Sequence, residues 1–124
     1  MHYFCPNCFV EILEYTQICP QCQFHLDRWD DLDYDQKLIA AIHHRETFTR
    51  MRAVYFLGER KTRAALEPLK AAFHSSTDPY FKAEVLQALA KIDVQDFETF
   101  AQGIDFDVES PIVRAKWQQL ISRL

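Results

Sequence analysis

At 124 residues the chain can hold one ordinary core, or a small core plus a tiny metal-held module. Its composition, 48% hydrophobic, 26% charged and only two glycines, is that of an ordered, helix-leaning protein and excludes a disordered one. The net charge of -4 argues against general nucleic-acid binding, which needs a basic surface to displace phosphate counterions.

The first predicted element is built on cysteines. All four lie in the front of the chain, as Cys5-Pro6-Asn7-Cys8 and Cys19-Pro20-Gln21-Cys22. Two residues between cysteines let a tight turn aim both sulfurs at one ion while backbone amides offset the thiolate charge. Two such turns supply the four ligands of a tetrahedral site, and zinc takes four thiolates without an open position. One structural Zn2+ held by Cys5, Cys8, Cys19 and Cys22 is therefore expected. Three alternatives fit less well. Disulfides belong to secreted chains, and the opening Met1-His2-Tyr3-Phe4-Cys5 lacks the basic start and apolar stretch of a secretory signal, so a cytoplasmic protein is expected. A thioredoxin-like redox motif needs an α/β surround, and a rubredoxin-like iron site fits the short separation poorly. So short a segment cannot bury enough to fold alone, and the metal would supply most of its folding free energy. Phe9, Val10, Ile12, Leu13, Tyr15 and Ile18 suffice for a small hairpin with a greasy side.

The stretch from Phe4 to Leu26 resembles the short bacterial zinc-ribbon family, which reads CPxC, a brief hairpin, then CPxC. In that pattern a glycine usually follows each second cysteine; here the positions are Phe9 and Gln23. His25 is expected to be a surface histidine, since four cysteines already complete the set.

The expected domains are a ribbon over 1–26, an acidic linker over 27–34 and a helical array over 35–124. Residues 1–34 hold Arg28 against six carboxylates, a balance of -5, whereas the remainder carries +1. The carboxylates between Asp27 and Asp35 lack the central glycine and terminal glutamate of a calcium loop. They are read as a solvated linker feeding the positive end of the first helix, with Trp29, Leu32 and Tyr34 available to wedge between the modules.

From Asp35 onward the period is helical and the chain repeats itself. Thr49-Arg50-x-x-Ala53-x-x-Phe56-Leu57 returns as Phe81-Lys82-x-x-Val85-x-x-Ala88-Leu89 and as Val113-Arg114-x-x-Trp117-x-x-Leu120-Ile121, at steps of 32. A preceding series, Leu38 and Ile42, Leu69 and Phe73, Phe100 and Ile104, steps by 31, so each unit is a helix A followed by a helix B, with an inner loop expected to grow by one residue per copy. The units are about 35–60, 61–93 and 94–124. Asp78-Pro79 and Ser110-Pro111 are cap and first-turn pairs, and Gly58 is expected to close the first B helix. Ala53, Val85 and Trp117 should share an inward position, as should Leu57, Leu89 and Ile121. Gln118, where the earlier copies have Val54 and Leu86, marks a terminal repeat.

Residues 35–124 resemble the HEAT-like repeats of the phycobilisome-lyase type, whose B helix reads apolar, basic, small, then Leu-Gly. The basic position is kept as Arg50, Lys82 and Arg114, and the glycine only as Gly58. The expected fold is thus all-α, a HEAT-like solenoid of three helix pairs with an N-terminal β-hairpin zinc ribbon.

No phosphate loop, serine elbow or other catalytic signature appears, and His43-His44 point about 100° apart on a helix, so no enzyme is expected. No apolar run approaches the roughly 18 to 20 residues of a membrane span. The basic cluster Arg45, Arg50, Arg52, Arg60, Lys61 and Arg63 is read first as a solvated face. The expected function is a non-catalytic adaptor binding another protein through B-helix positions left over from the core: Arg52, Tyr55, Glu84, Gln87, Lys116 and Gln119. The rivals are nucleic-acid binding through ribbon and basic cluster, and an accessory role that the resemblance to bilin lyases implies.

Overall fold

The computed structural model describes residues 3–5, 8, 10–12, 14, 16–28 and 32–123. Phe9, Leu13 and Tyr15 of the expected ribbon hairpin, and Trp29, Asp30 and Asp31 of the expected linker, lie outside the described residues. A two-stranded antiparallel hairpin, β1 (Tyr3–Phe4) and β2 (Glu11–Ile12), opens the chain. After a 3-10 turn at Leu26–Arg28 come α1 (Tyr34–Ala41), α2 (Thr47–Glu59), α3 (Leu66–Ser75), α4 (Pro79–Ile92), α5 (Val94–Gln102) and α6 (Pro111–Ile121). The protein is an all-α solenoid in which α1/α2, α3/α4 and α5/α6 are the three A/B pairs.

Local chemistry sets the helix starts. Asp33 and Gln36 form a reciprocal capping box on α1, the Gln36 amide donating to Asp33 Oδ1 at 2.7 Å and the Asp33 amide to Gln36 Oε1 at 2.9 Å. Asp78 accepts from the Tyr80 and Phe81 amides, Asp93 from Asp96, and Ser110 from Val113, with Pro79 and Pro111 at first-turn positions where no donor is needed. The connections inside the units are 42–46, 76–78 and 103–110, so the inner loop does not grow evenly. The helices differ in length and absorb the register.

The B helices α2, α4 and α6 pack on one another in sequence, while α1 lies on α2 and both α3 and α5 lie on α4. Being in the middle, α4 buries residues around much of its circumference: Phe81, Ala83, Val85, Leu86, Ala88, Leu89 and Ile92. Ala53 and Val85 are buried at the inward position, as are Leu57 and Leu89. Ile121, expected to match them, is 41% exposed, on the last of the described B helices. Phe56 is likewise exposed, on the α1 side of the first unit. Gln118 is exposed where its equivalents Val54 and Leu86 are buried. Trp117 is half-buried and stacked on Phe106 with centroids 4.3 Å apart, so the long last loop folds back to cover it.

Gly58 does not close α2. It is buried inside the helix, and a Cβ there would sit 3.0 Å from Ala88 Cα on α4. The glycine serves close approach of two B helices. The helix ends one residue later, at Glu59, in a Schellman arrangement: the Lys61 amide donates to Gly58 O at 3.1 Å, the Thr62 amide to Leu57 O at 3.2 Å, and Lys61, three residues beyond Gly58, takes the left-handed conformation, φ 53°.

His43 is exposed and His44 buried, and both lie in the 42–46 connection rather than on a helix as expected. His44 Nδ1 accepts from the Glu46 amide at 3.0 Å, tying down the entry of α2. Burial, with the Arg50 charge adding to it and Glu46 opposing it, holds the His44 pKa below its ordinary value of 6.5. The unfolded chain then binds the proton more readily than the folded one, so His44 contributes stability above about pH 6.5 that is lost as pH falls through the folded value. Melting temperature should therefore fall more steeply below pH 6.5 in the native protein than in His44→Asn, whose Oδ1 keeps the acceptor without titrating. Parallel thermal melts of the two chains over pH 5 to 8 check this, and identical profiles would remove His44 as the cause.

Candidate metal centre and partner face

The first cysteine of each pair is anchored alike. The Cys5 amide donates to Val10 O at 3.1 Å and the Cys19 amide to Phe24 O at 2.8 Å, so each first cysteine is clasped by the backbone five residues on. The hairpin β1–β2 flanks the first turn, and a bridge between Ile18 and His25 flanks the second. Gln23 occupies the position where the ribbon pattern has glycine and adopts the conformation glycine would supply, φ 66°, while its amide donates to Cys19 O at 2.9 Å. Phe9, the matching position of the first turn, lies outside the described residues.

This framework brings the four sulfurs together, all within 4.8 Å of one another. Cys5 Sγ lies 3.6 Å from Cys22 Sγ, and Cys8 Sγ 3.7 Å from Cys19 Sγ. Four sulfurs placed about 2.3 Å from one ion sit about 3.8 Å apart at the corners of a tetrahedron, whereas a disulfide needs about 2.05 Å. The spacing therefore fits a metal ion, and the cysteines are unbridged. Cys5 and Cys19 are fully buried against Ile12, with Val10, Phe24 and Leu26 packed around. Burial acts to raise the Cys19 thiol, but the amides of Cys22 and Gln21 and the thiols of Cys22 and Cys5 outweigh it and bring the pKa down to about 6. Burial holds Cys8 above its ordinary value. A cluster with one thiol already inclined to ionise is suited to a cation that stabilises the rest. His25 is exposed and faces Asp27 at 3.9 Å, outside the four-sulfur cluster.

A second feature lies across the exposed side of the B helices. Repeat-equivalent positions form rows there: Phe48, Tyr80 and Ile112; Met51, Ala83 and Ala115; Arg52, Glu84 and Lys116; Tyr55, Gln87 and Gln119. Phe48 is 72% exposed, Tyr80 62% and Tyr55 45%. Between α2 and α4, Phe48, Met51, Arg52, Tyr55, Phe56 and Glu84 line a depression of about 370 Å³. Between α4 and α6 a larger one, about 570 Å³, runs from Met51 and Tyr80 past Glu84 to Ile112, Lys116 and Gln119. Met51 and Glu84 belong to both, so the two make one groove crossing three helices. Gln87 lies beside it and accepts from Lys116 Nζ at 2.9 Å.

A family model described as HEAT repeats matches residues 24–93, more than half of the chain. The chain belongs to the HEAT repeat family. No curated protein and no solved structure matches it. Proteins built from HEAT repeats commonly serve as protein-interaction scaffolds. No described helix is long and apolar enough to cross a membrane.

Within this HEAT array the basic cluster does not form one open face. Arg45 Nη1 donates to Cys8 O at 3.0 Å, linking the array to the cysteine turn. Arg50 clamps the carbonyls of His44 and Arg45, Arg60 pairs with Asp35 at 2.6 Å, and Arg63 with Asp93 at 3.0 Å. Arg50 and Arg114 use the repeated basic position alike, each holding carbonyls of the loop before its own helix, while Lys82 reaches Glu109 at 2.8 Å. That position is structural. The acidic stretch is similarly committed: Asp33 caps α1 and Asp35 pairs with Arg60, whose guanidinium holds the Asp35 carboxyl below its ordinary value. Tyr34, expected as a wedge, is 53% exposed beneath the Arg60 guanidinium.

Sequence reasoning had missed Phe48, Tyr80 and Met51. The signal was present: Phe48 stands one helical turn before Arg52, and Tyr80 follows it by one repeat step of 32, so extending the surface row back by four residues finds both.

Proposed function

We propose that this protein is a non-catalytic adaptor in which a structural zinc ribbon precedes a HEAT array that holds another protein along the α2–α4–α6 groove. The observation that carries this reading is the groove itself, with Phe48, Tyr55 and Tyr80 exposed on one rigid helical layer. Soluble proteins seldom leave several large aromatics together in water without a partner to cover them, and tyrosine on a rigid helix gives contact area at small entropic cost. Arg52, Tyr55, Glu84, Gln87, Lys116 and Gln119 are the residues assigned to the contact, with Phe48 and Tyr80 added. Nucleic-acid binding is not favoured, because Arg45, Arg50, Arg60 and Arg63 already hold acceptors of the chain itself.

Replacing Arg52 and Tyr55 together by Ala should leave the melting temperature nearly unchanged, since neither fills the core, with stability altered by about 0.5 kcal/mol or less. Quantitative affinity capture should then lose the proteins that the native chain retains. Retention of the same proteins at equal yield would move the partner to another surface and defeat the assignment.

A further inference from the structure

We infer that the occupant of this groove is an acidic segment of another protein, with carboxylates at two separated points and an apolar side chain between them. The inference rests on the adaptor reading and adds the chemistry of the ligand.

Charge complementarity carries it. The row Arg52, Glu84, Lys116 runs across the groove with signs plus, minus, plus. Other basic residues of the B helices are neutralised or hydrogen-bonded by the fold: Lys82 by Glu109, Lys91 by Glu59, Arg50 and Arg114 by loop carbonyls. Arg52 and Lys116 differ. The Arg52 guanidinium lies over the Phe48 ring, 6.0 Å from its centroid, and Lys116 meets only the neutral amide of Gln87; among the described residues neither is ion-paired. In a chain of net charge -4, two cations without a carboxylate flank the exposed aromatics of one groove. A ligand that brings the missing carboxylates gains both ion pairs against partly desolvated walls, and its apolar side chain covers Tyr80 and Met51.

The spacing limits the ligand further. Packed helices stand about 8 to 10 Å apart, so Arg52 and Lys116, two helices apart, are separated by roughly 18 Å. In an extended chain rising about 3.3 Å per residue, the two acidic residues would be about five or six positions apart. Glu84, midway, repels a third carboxylate, so the middle of the segment is apolar or basic.

Selection of a random twelve-residue peptide library on the full-length zinc-loaded chain tests this directly. Enriched peptides should carry two Asp or Glu at that spacing around an aromatic or aliphatic residue, and should depend on Tyr55 and Tyr80. Their affinity should fall at least about tenfold on Arg52→Glu with Lys116→Glu, and again on raising salt. Thermal melts of each variant confirm that it folds, and Arg52→Gln with Lys116→Gln supplies a milder pair. A neutral or basic consensus that still needs Tyr55 and Tyr80 overturns the acidic ligand and leaves the adaptor reading standing. Peptides indifferent to Tyr55 and Tyr80, or no enrichment, overturn both. Sedimentation showing a dimer that the charge reversal converts to monomer would assign the groove to a second copy and overturn the proposal.

Discussion

Replacing Cys19 by Ser is expected to strip the metal from the chain and unfold the ribbon while most helical circular dichroism survives. Cys19 is fully buried, its sulfur 3.7 Å from Cys8 Sγ and 3.4 Å from the Gln21 amide that donates to it. A serine hydroxyl would not supply the thiolate that a tetrahedral metal site would require at this corner. Metal binding to four such ligands contributes roughly 10 to 16 kcal/mol near neutral pH, far more than the few apolar groups around the cluster. The helices should persist because the two cores are separate: one gathers Cys5, Ile12 and Cys19, the other runs from Ile42 to Leu120. A hydrogen bond between them, Arg45 to Cys8 O, is exposed and worth little beside either core. Elemental analysis should find one zinc per native chain and none in the variant, and ellipticity at 222 nm should report the helices. Iron in the native protein would overturn zinc. Collapse of the helical signal would mean that the array cannot stand without the ribbon.

Gly58→Val should destabilise the array by about 3 kcal/mol or more, lowering the melting temperature by roughly 10 °C. The added Cβ would meet backbone, Ala88 Cα at 3.0 Å, and the Ala88 methyl at 3.2 Å, so α2 and α4 must separate. Leu57, Val85 and Leu89, all fully buried near this contact, would lose packing as they do. Gly103→Ala is the control, since its nearest neighbour is Phe100 O at 3.5 Å and the backbone there is ordinary, φ -85°. Gly58→Asn separates two causes. If Gly58 were needed for a left-handed turn, Asn would be tolerated; if it is needed for close approach, Asn should destabilise like any larger residue. Chemical denaturation of the four chains decides between them.

Much of this was legible because it is local. A Cys-x-x-Cys spacing fixes which sulfurs a tight turn aims together, so the four-cysteine cluster was legible in the sequence, and the structure gathers its sulfurs within 4.8 Å. Caps are equally local: Asp78, Ser110 and their prolines mark helix starts by chemistry within three residues. The 32-residue step placed Ala53 beside Val85 and Leu57 beside Leu89, because stacked units bury equivalent positions.

The sequence by itself determined the four-cysteine cluster, the three helix pairs and the outward direction of Arg52 and Tyr55, since each depends on helical period or turn geometry within a few residues. Tertiary structure alone decided what depends on neighbours distant in sequence. Ile121 is exposed although its equivalents Leu57 and Leu89 are buried, because α2 and α4 pack on each other while α6 packs on α4, and Gly58 lies in a helix contact because Ala88 arrives from α4. The same holds for charge. Arg45, Arg50, Arg60 and Arg63 look alike in sequence, and only folding brings each an acceptor of its own while leaving Arg52 and Lys116 facing the groove, because a cation's availability depends on which group packs within hydrogen-bond reach.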